Sequence, residues 1–114
     1  MSSAYAVFDG TTIRFYTSTP FTSIAGTVVD PDRITFSYQI QGQSTVTFTY
    51  TQGTGDPTST IVRDTTGTYH ADIDTSGKPG VWIYRWTGAP YNGTDTTRTK
   101  VAYEGNVVVS GKAF

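Results

Sequence analysis

The sequence predicts an all-β protein, an antiparallel β-sandwich without disulfides, and three observations lead to this fold class. Apolar and polar residues alternate with a period of two along most of the 114 residues. Short stretches that contain Gly or Pro separate the alternating segments, as turns do between strands. The chain contains no cysteine, so no disulfide can cross-link the two sheets.

Two neighbouring segments show the alternation most clearly. Residues 34–40 (ITFSYQI) place Ile, Phe, Tyr and Ile on one face of a strand and Thr, Ser and Gln on the other. Residues 45–50 (TVTFTY) likewise set Val, Phe and Tyr against three threonines. This pattern is typical of antiparallel strands that have one buried and one polar face. The intervening residues 41–44 (QGQS) predict a hairpin turn.

Six further segments predict the remaining strands. They are TTIRFY (11–16), SIAGTVV (23–29), STIVRD (59–64), TYHADID (68–74), GVWIYRW (80–86) and TKVAYEGNVVVS (99–110). In the first of them, Ile13 and Phe15 are expected to face inward. Pro31 favours a turn after the second, because proline cannot donate a hydrogen bond to a strand ladder. Gly105 interrupts the last alternation, which suggests a β-bulge there.

Composition excludes several classes of function. The net charge is −1 with only 15% charged residues, which argues against nucleic-acid binding because that requires clustered Lys and Arg. The longest aliphatic run, Val107–Val109, is far too short to span a membrane. The first ten residues lack the features of a secretory signal, so we expect synthesis in the cytoplasm. Neither a cofactor nor a small-molecule ligand is expected.

The only histidine, His70, lies in a segment rich in aspartate and is the obvious candidate for catalysis. Alternation places it on the polar face of its strand together with Asp72 and Asp74. Neighbours on the same face of a strand are about 6.6 Å apart, too far for a direct His–Asp hydrogen bond unless the side chains lean together. A solvated polar face is therefore favoured over an acid–base site, and we expect the protein not to be an enzyme.

Two aspartate pairs, Asp30 with Asp32 and Asp72 with Asp74, are candidate calcium ligands. Calcium requires six or more oxygen ligands that converge, and neither pair lies in a dense acidic loop. No metal site is predicted.

The aromatic stripe Trp82, Tyr84 and Trp86 could be the core of the sandwich or an exposed platform on which sugar rings stack. Arg85 lies on the opposite face of the same strand and would be costly to bury without a partner. The aromatic face is therefore predicted to be the buried one.

The motif Asp64-x-x-Gly67-x-Tyr69 resembles the corner of immunoglobulin-like folds, in which a tyrosine hydroxyl bonds back to nearby backbone. Filamin-type repeats carry a similar Gly-Thr-Tyr strand. In antibody domains a cysteine follows two residues after this tyrosine, whereas this sequence has Ala71, which is consistent with a disulfide-free variant.

A closer resemblance is to small immunoglobulin-like structural proteins of tailed bacteriophages. Five segments carry it across roughly residues 7–109: Val28-Val29-Asp30-Pro31, Thr47-Phe48-Thr49-Tyr50, Asp64 to Asp72, Pro79 to Trp86, and Glu104. The resemblance implies a non-enzymatic virion component, either a head decoration protein or a part of the neck or tail. It also implies several copies per particle, other virion proteins as partners, and localisation in the virion. Residues 88–99 form a longer loop than this family leads us to expect.

The whole chain, residues 1–114, is expected to form one immunoglobulin-like domain with a short N-terminal arm and a C-terminal tail. Candidate partner-binding residues are an aromatic anchor in the long loop with its polar neighbours and one aromatic residue near each terminus: Tyr91, Asn92, Asp95, Arg98, Tyr5 and Phe114. An adhesion or carbohydrate-binding module is the alternative to a virion protein.

Overall fold

The described part of the chain is built entirely from strands, turns and irregular segments. The computed structural model describes residues 6–8, 10–17, 20–22, 28, 30–89 and 100–110, and these contain eight strands and no helix. The strands are β1 (Ala6–Phe8), β2 (Thr12–Tyr16), β3 (Arg33–Ile40), β4 (Thr45–Thr51), β5 (Ile61–Thr65), β6 (Thr68–Asp74), β7 (Gly80–Ala89) and β8 (Lys100–Ser110). Among these residues, none belongs to a helix with the length and apolar character that a membrane crossing requires.

The strands form a five-stranded sheet with the order β1-β8-β7-β3-β4 and a three-stranded sheet with the order β2-β6-β5. In this arrangement β8-β7-β3-β4 correspond to the strands G-F-C-C′ of an immunoglobulin domain, β2-β6-β5 correspond to B-E-D, and β1 is added at the edge beside β8. The predicted fold class is confirmed. One pairing differs from the antiparallel expectation, since β1 runs parallel to β8.

The inward faces of the two sheets meet in an aromatic core. Phe15 of β2 crosses the interface, with its ring centroid 5.2 Å from that of Phe36, 4.5 Å from Tyr84 and 6.4 Å from Trp82. Ile13 and Phe15 are both buried, as predicted. The prediction that Trp82, Tyr84 and Trp86 face inward is also confirmed. Tilted contacts of this kind add to the free energy gained by burying the rings.

Alternation predicted burial well in β3 and less well in β4. All four inward residues of β3 are buried. In β4, Phe48 and Tyr50 are only partly buried and Val46 is 38% exposed. The inward residues of β4 are more exposed because β4 is the last strand of its sheet and has a neighbouring strand on one side only.

The bulge suggested at Gly105 lies elsewhere. Gly105 is in register with Tyr84, so the strand is regular at the glycine. The register shifts between Trp86 and Thr87, which pair with Tyr103 and Val101 respectively. The extra residue is therefore Ala102, and the suggested position was wrong by three residues.

The predicted strand at residues 23–29 falls mostly outside the described residues. What the structure shows is an isolated bridge between Thr22 and Val28. The turn that follows packs tightly against β7. A Cβ on Gly88 would lie 2.6 Å from Pro31 Cγ and 2.8 Å from Phe21 Cε1, so only glycine permits this close approach.

Candidate functional site

The segment that carries the family resemblance forms a hairpin. Asp64-x-x-Gly67-x-Tyr69 joins β5 to β6 within the three-stranded sheet, with Gly67 at a positive φ of 77° in the turn. In immunoglobulin domains the tyrosine corner lies instead at the crossing between the sheets. Here that crossing is the connection between β6 and β7, residues 75–79. The predicted corner is therefore corrected to a hairpin within one sheet.

Asp30 links this hairpin to the rest of the sandwich. Its Oδ1 accepts hydrogen bonds from the Gly67 backbone N–H at 2.8 Å and from the Tyr69 hydroxyl at 2.7 Å. Its Oδ2 accepts from the Arg63 guanidinium at 2.9 Å. Gln52 Nε2 donates to the Tyr69 hydroxyl at 2.7 Å. The tyrosine hydroxyl thus bonds to a carboxylate distant in sequence, and the prediction of a nearby backbone acceptor was wrong.

The pKa values of this cluster follow from its geometry. Partial burial acts to raise the pKa of Asp30, but hydrogen bonds from Arg63, Gly67 and Tyr69 outweigh it and hold the pKa below its usual range. Burial, reinforced by the bond to Asp30, raises the pKa of Tyr69. A charged acceptor beside a neutral donor is the arrangement expected of a structural anchor that is stable at neutral pH.

His70 differs from its prediction. It lies on the outer face of β6, as alternation requires, but it is only 8% exposed, so the expectation of a solvated side chain was wrong. Its Nδ1 is 2.7 Å from Asp64 Oδ1, and Tyr16 of β2 packs against the ring with centroids 6.1 Å apart. Asp64 comes from the neighbouring strand β5, where the register shifts between Arg63 and Thr65. The carboxylate that bonds to His70 therefore comes from the neighbouring strand and not from β6 itself.

The two aspartates that follow His70 on the polar face are also engaged. Asp72 forms an exposed two-pronged ion pair with Arg14 of β2, with distances of 2.8 and 2.9 Å. The hydrogen bond from Arg14 lowers the pKa of Asp72. Asp74 accepts from the backbone N–H and hydroxyl of Ser76 in the next turn, which lowers its pKa as well. These carboxylates hold strands and turns in place.

The candidate calcium sites do not assemble in the described part of the chain. There, no three His, Asp or Glu side chains converge in a way that could hold a metal ion. Asp30 is directed towards Arg63 and Tyr69, while Asp72 is directed towards Arg14.

The stripe that could have been a carbohydrate platform is core. Trp82 and Trp86 are 0% exposed. Trp82 stacks on Tyr38 with a centroid distance of 4.5 Å, and its indole N–H donates to the Lys78 carbonyl at 2.9 Å. The same strand presents Ile83 and Arg85 outward, as alternation requires. Neither tryptophan is available to stack on a sugar.

Tryptophan fluorescence of the native protein tests this placement. Because both indoles are buried, we expect blue-shifted emission that acrylamide quenches weakly, with a red shift and strong quenching after unfolding in guanidinium. Red-shifted, strongly quenched emission from the folded protein would mean that a tryptophan is in solvent.

The outer face of the five-stranded sheet holds a shallow depression of about 220 Å³. Outward residues of β3, β4, β7 and β8 contribute most of its lining: Ser37, Gln39, Thr45, Ile83, Arg85 and Glu104. Arg85 and Glu104 form an ion pair at 2.6 Å across β7 and β8, and Ile83 beside them is 50% exposed. The predicted partner-binding residues lie only in a loop and near the termini and do not include this face, although the alternation of β7 indicates it.

The six candidate partner-binding residues, Tyr5, Tyr91, Asn92, Asp95, Arg98 and Phe114, lie outside the described residues. Their roles stay predictions. No protein-family model matches the sequence, and comparison with curated proteins found no significant similarity. The fold and the geometry of the described residues are therefore the basis for a functional proposal.

Proposed function

We propose that this protein is a non-enzymatic structural protein of a tailed-bacteriophage virion, an immunoglobulin-like accessory module that docks on the particle as a head decoration or head–tail neck component. The observation that carries the proposal is that the residues of the family-like motif build the framework. Gly67 and Tyr69 anchor the β5–β6 hairpin on Asp30, and Trp82 fills the core. Because these motif residues build the fold, the function of the domain depends on its surfaces.

The contacts of the polar residues favour a non-enzymatic role. His70 pairs with Asp64, but a histidine–carboxylate pair acts as a base only when a nucleophile or substrate reaches the other ring nitrogen. In the described part of the chain, the imidazole of His70 bonds to Asp64 alone, and Tyr16 packs against the ring. Arg14 and Arg63 are each held by an aspartate. This pattern of pairwise contacts supports a structural module.

The surfaces of the sandwich suit docking by shape and apolar contact. The outer face of the five-stranded sheet carries the exposed Ile83 beside a neutralised Arg85–Glu104 pair. Interfaces in assemblies commonly combine a small apolar centre with a polar surround. The loop around Tyr91 and the terminal residue Phe114 would add contacts to partner proteins of the particle.

A carbohydrate-binding module is less well supported. Such a module needs exposed aromatic rings, and the stripe considered for this role is buried. A tail-associated structural protein belongs to the same class as our proposal and differs only in where it docks on the particle.

Deletion of Lys112–Phe114 tests the proposal. We expect the shortened chain to keep the thermal unfolding transition of the full chain, because the core lies between the two sheets. We expect its amount in purified particles to fall, since the proposal assigns a docking contact to the apolar side chain of Phe114. Equal incorporation of the shortened and full chains would contradict a docking role for this segment.

A point variant distinguishes the loss of an apolar docking side chain from the loss of three residues of chain. Phe114→Ala keeps every backbone atom and should reproduce the loss, whereas Lys112→Ala should not. If neither the full chain nor any variant is found in purified particles, the proposed function itself is wrong.

A further inference from the structure

Strand β4 is an open edge of the five-stranded sheet. It pairs in unbroken register with β3, from Thr45 opposite Gln39 to Thr51 opposite Arg33. Within the described residues no strand pairs with its other side. Thr45, Val46 and Thr47 are exposed. An edge of this length has backbone donors and acceptors available to another strand.

The direction of each backbone group follows from the bonds just beyond β4. The Gln52 N–H donates to the Asp32 carbonyl at 2.9 Å, so the backbone of Gln52 faces the β3 side. The Thr51 N–H donates to the Gly55 carbonyl on the opposite side, and the Gly55 N–H donates back to Thr51. Because these directions alternate along a strand, the odd-numbered residues face the open edge.

Three residues therefore present backbone groups at this edge that bond to no other described residue. The backbone groups of Thr51 already bond to those of Gly55. The backbone groups of Thr45, Thr47 and Thr49 remain. Natural sheet edges are commonly protected by Lys, by Pro or by a bulge. Residues 41–51 contain no charged residue and no proline, and the β3–β4 register has no irregularity. This edge lacks the usual features that prevent pairing.

The sequence of β4, Thr-Val-Thr-Phe-Thr-Tyr-Thr, has the same alternation of threonine and apolar residues in either direction. Threonines occupy every odd position, and apolar residues occupy every even one. An antiparallel copy would therefore place threonine opposite threonine and apolar opposite apolar. Both are favourable cross-strand pairs, and no like charges would meet.

We propose that two copies of this chain pair through β4, antiparallel and related by a two-fold axis that passes by Thr47. Thr47 faces its own copy, Thr45 faces Thr49, and Val46 faces Phe48. The three pairs of edge-facing residues would form about six backbone hydrogen bonds, two for each pair. The five-stranded sheets of the two copies become one continuous sheet. The contact is isologous and closes on itself, as in most two-fold dimers.

The backbone bonds between Thr51 and Gly55 favour this register. A two-fold axis at Phe48 would place Thr45 opposite Thr51, whose backbone groups already bond to Gly55. That register would lose a hydrogen-bonded pair at each end. With the axis at Thr47, every available edge group is used, and the partly exposed Val46 packs beside an aromatic ring.

Thr47→Pro tests the pairing by sedimentation equilibrium of the full chain. The Thr47 N–H faces the open edge, so proline removes no bond to β3 but removes one donor from each copy at the axis. We expect the wild-type chain to be dimeric at about 100 µM and the variant to dissociate at least tenfold more readily. A monomeric wild type, or equal dissociation constants for the two chains, would overturn the proposal.

Charge variants keep the test valid if proline disturbs the strand. Thr47→Lys and Thr47→Glu should each be monomeric, because two like charges would meet at the axis. An equimolar mixture should form a heterodimer, and salt should weaken it. If the mixture also stays monomeric while both chains are folded, Thr47 does not face its copy.

A cysteine cross-link tests the register. The chain has no cysteine of its own, and directly opposed hydrogen-bonded residues have Cα atoms about 5.5 Å apart, within disulfide range. Thr47→Cys should cross-link on mild oxidation, whereas Thr12→Cys, exposed on the other sheet, should not. Equal cross-linking of both would contradict the register. The pairing depends on β4 alone, so these results do not depend on whether the protein belongs to a particle.

Discussion

Replacement of Trp82 by alanine is expected to lower the free energy of unfolding by about 3–5 kcal/mol. The side chain is fully buried, stacks on Tyr38 at an interplanar angle of 13°, and lies 6.4 Å from Phe15 of the opposite sheet. Its indole N–H also bonds to the Lys78 carbonyl, in the connection between the sheets. Natural domains are stable by only about 5–15 kcal/mol, so the loss would bring the protein close to unfolding. Guanidinium unfolding followed by circular dichroism measures this change in the free energy of unfolding.

The neighbouring residue provides a matched control. Ile83 follows Trp82 on β7 but points outward and is half exposed. Ile83→Ala should therefore cost less than about 1 kcal/mol. If Ile83→Ala proved the more destabilising of the two, the assignment of inner and outer faces on β7 would be reversed.

The second large effect is expected from Asp30→Ala, which should cost about 2–4 kcal/mol. The substitution removes the acceptor of the Gly67 N–H and of the Tyr69 hydroxyl, and both groups are in largely buried residues. It also leaves Arg63 without its carboxylate. Asp32→Ala changes an exposed aspartate in the same turn and should cost no more than about 0.5 kcal/mol. Equal losses for the two variants would show that the Asp30 cluster does not stabilise the fold.

The contribution of Asp30 should also depend on pH. Its pKa is lower in the folded protein than in the unfolded chain, where an aspartate titrates near about 3.9. The stabilisation is therefore fully present above that pH and is lost as the pH falls through the lower folded pKa. The difference in stability between the wild-type protein and Asp30→Ala should shrink below about pH 4. A difference that stays constant down to pH 2 would contradict the charged hydrogen bonds.

Alternation predicted which residues of each strand face the core, because a period of two follows directly from the geometry of a strand. It succeeded for β3 and for the aromatic stripe of β7. It did not predict how deeply β4 is buried, because the order of strands within a sheet is not a local property of the sequence. The half-exposed Val46 results from the position of β4 at the edge.

The predicted partner of the Tyr69 hydroxyl and the predicted exposure of His70 were wrong for a related reason. Tyr69 bonds to Asp30, 39 residues away along the chain, and His70 bonds to Asp64 across a register shift. Alternation assigns a side chain to a face, but the partner depends on which strands are adjacent and in what register. For His70, the neighbouring strand provided the carboxylate that the same strand could not.

Our central proposal is that this chain is a structural component of a tailed-phage particle. Electron cryomicroscopy of phage particles purified from cells that carry the encoding gene tests it most directly, with mass spectrometry to establish whether the chain is present. We predict density for a sandwich with this strand order, repeated on the head or at the neck. Particles that lack the chain, with the protein left in the soluble fraction of the lysate, would contradict the claim.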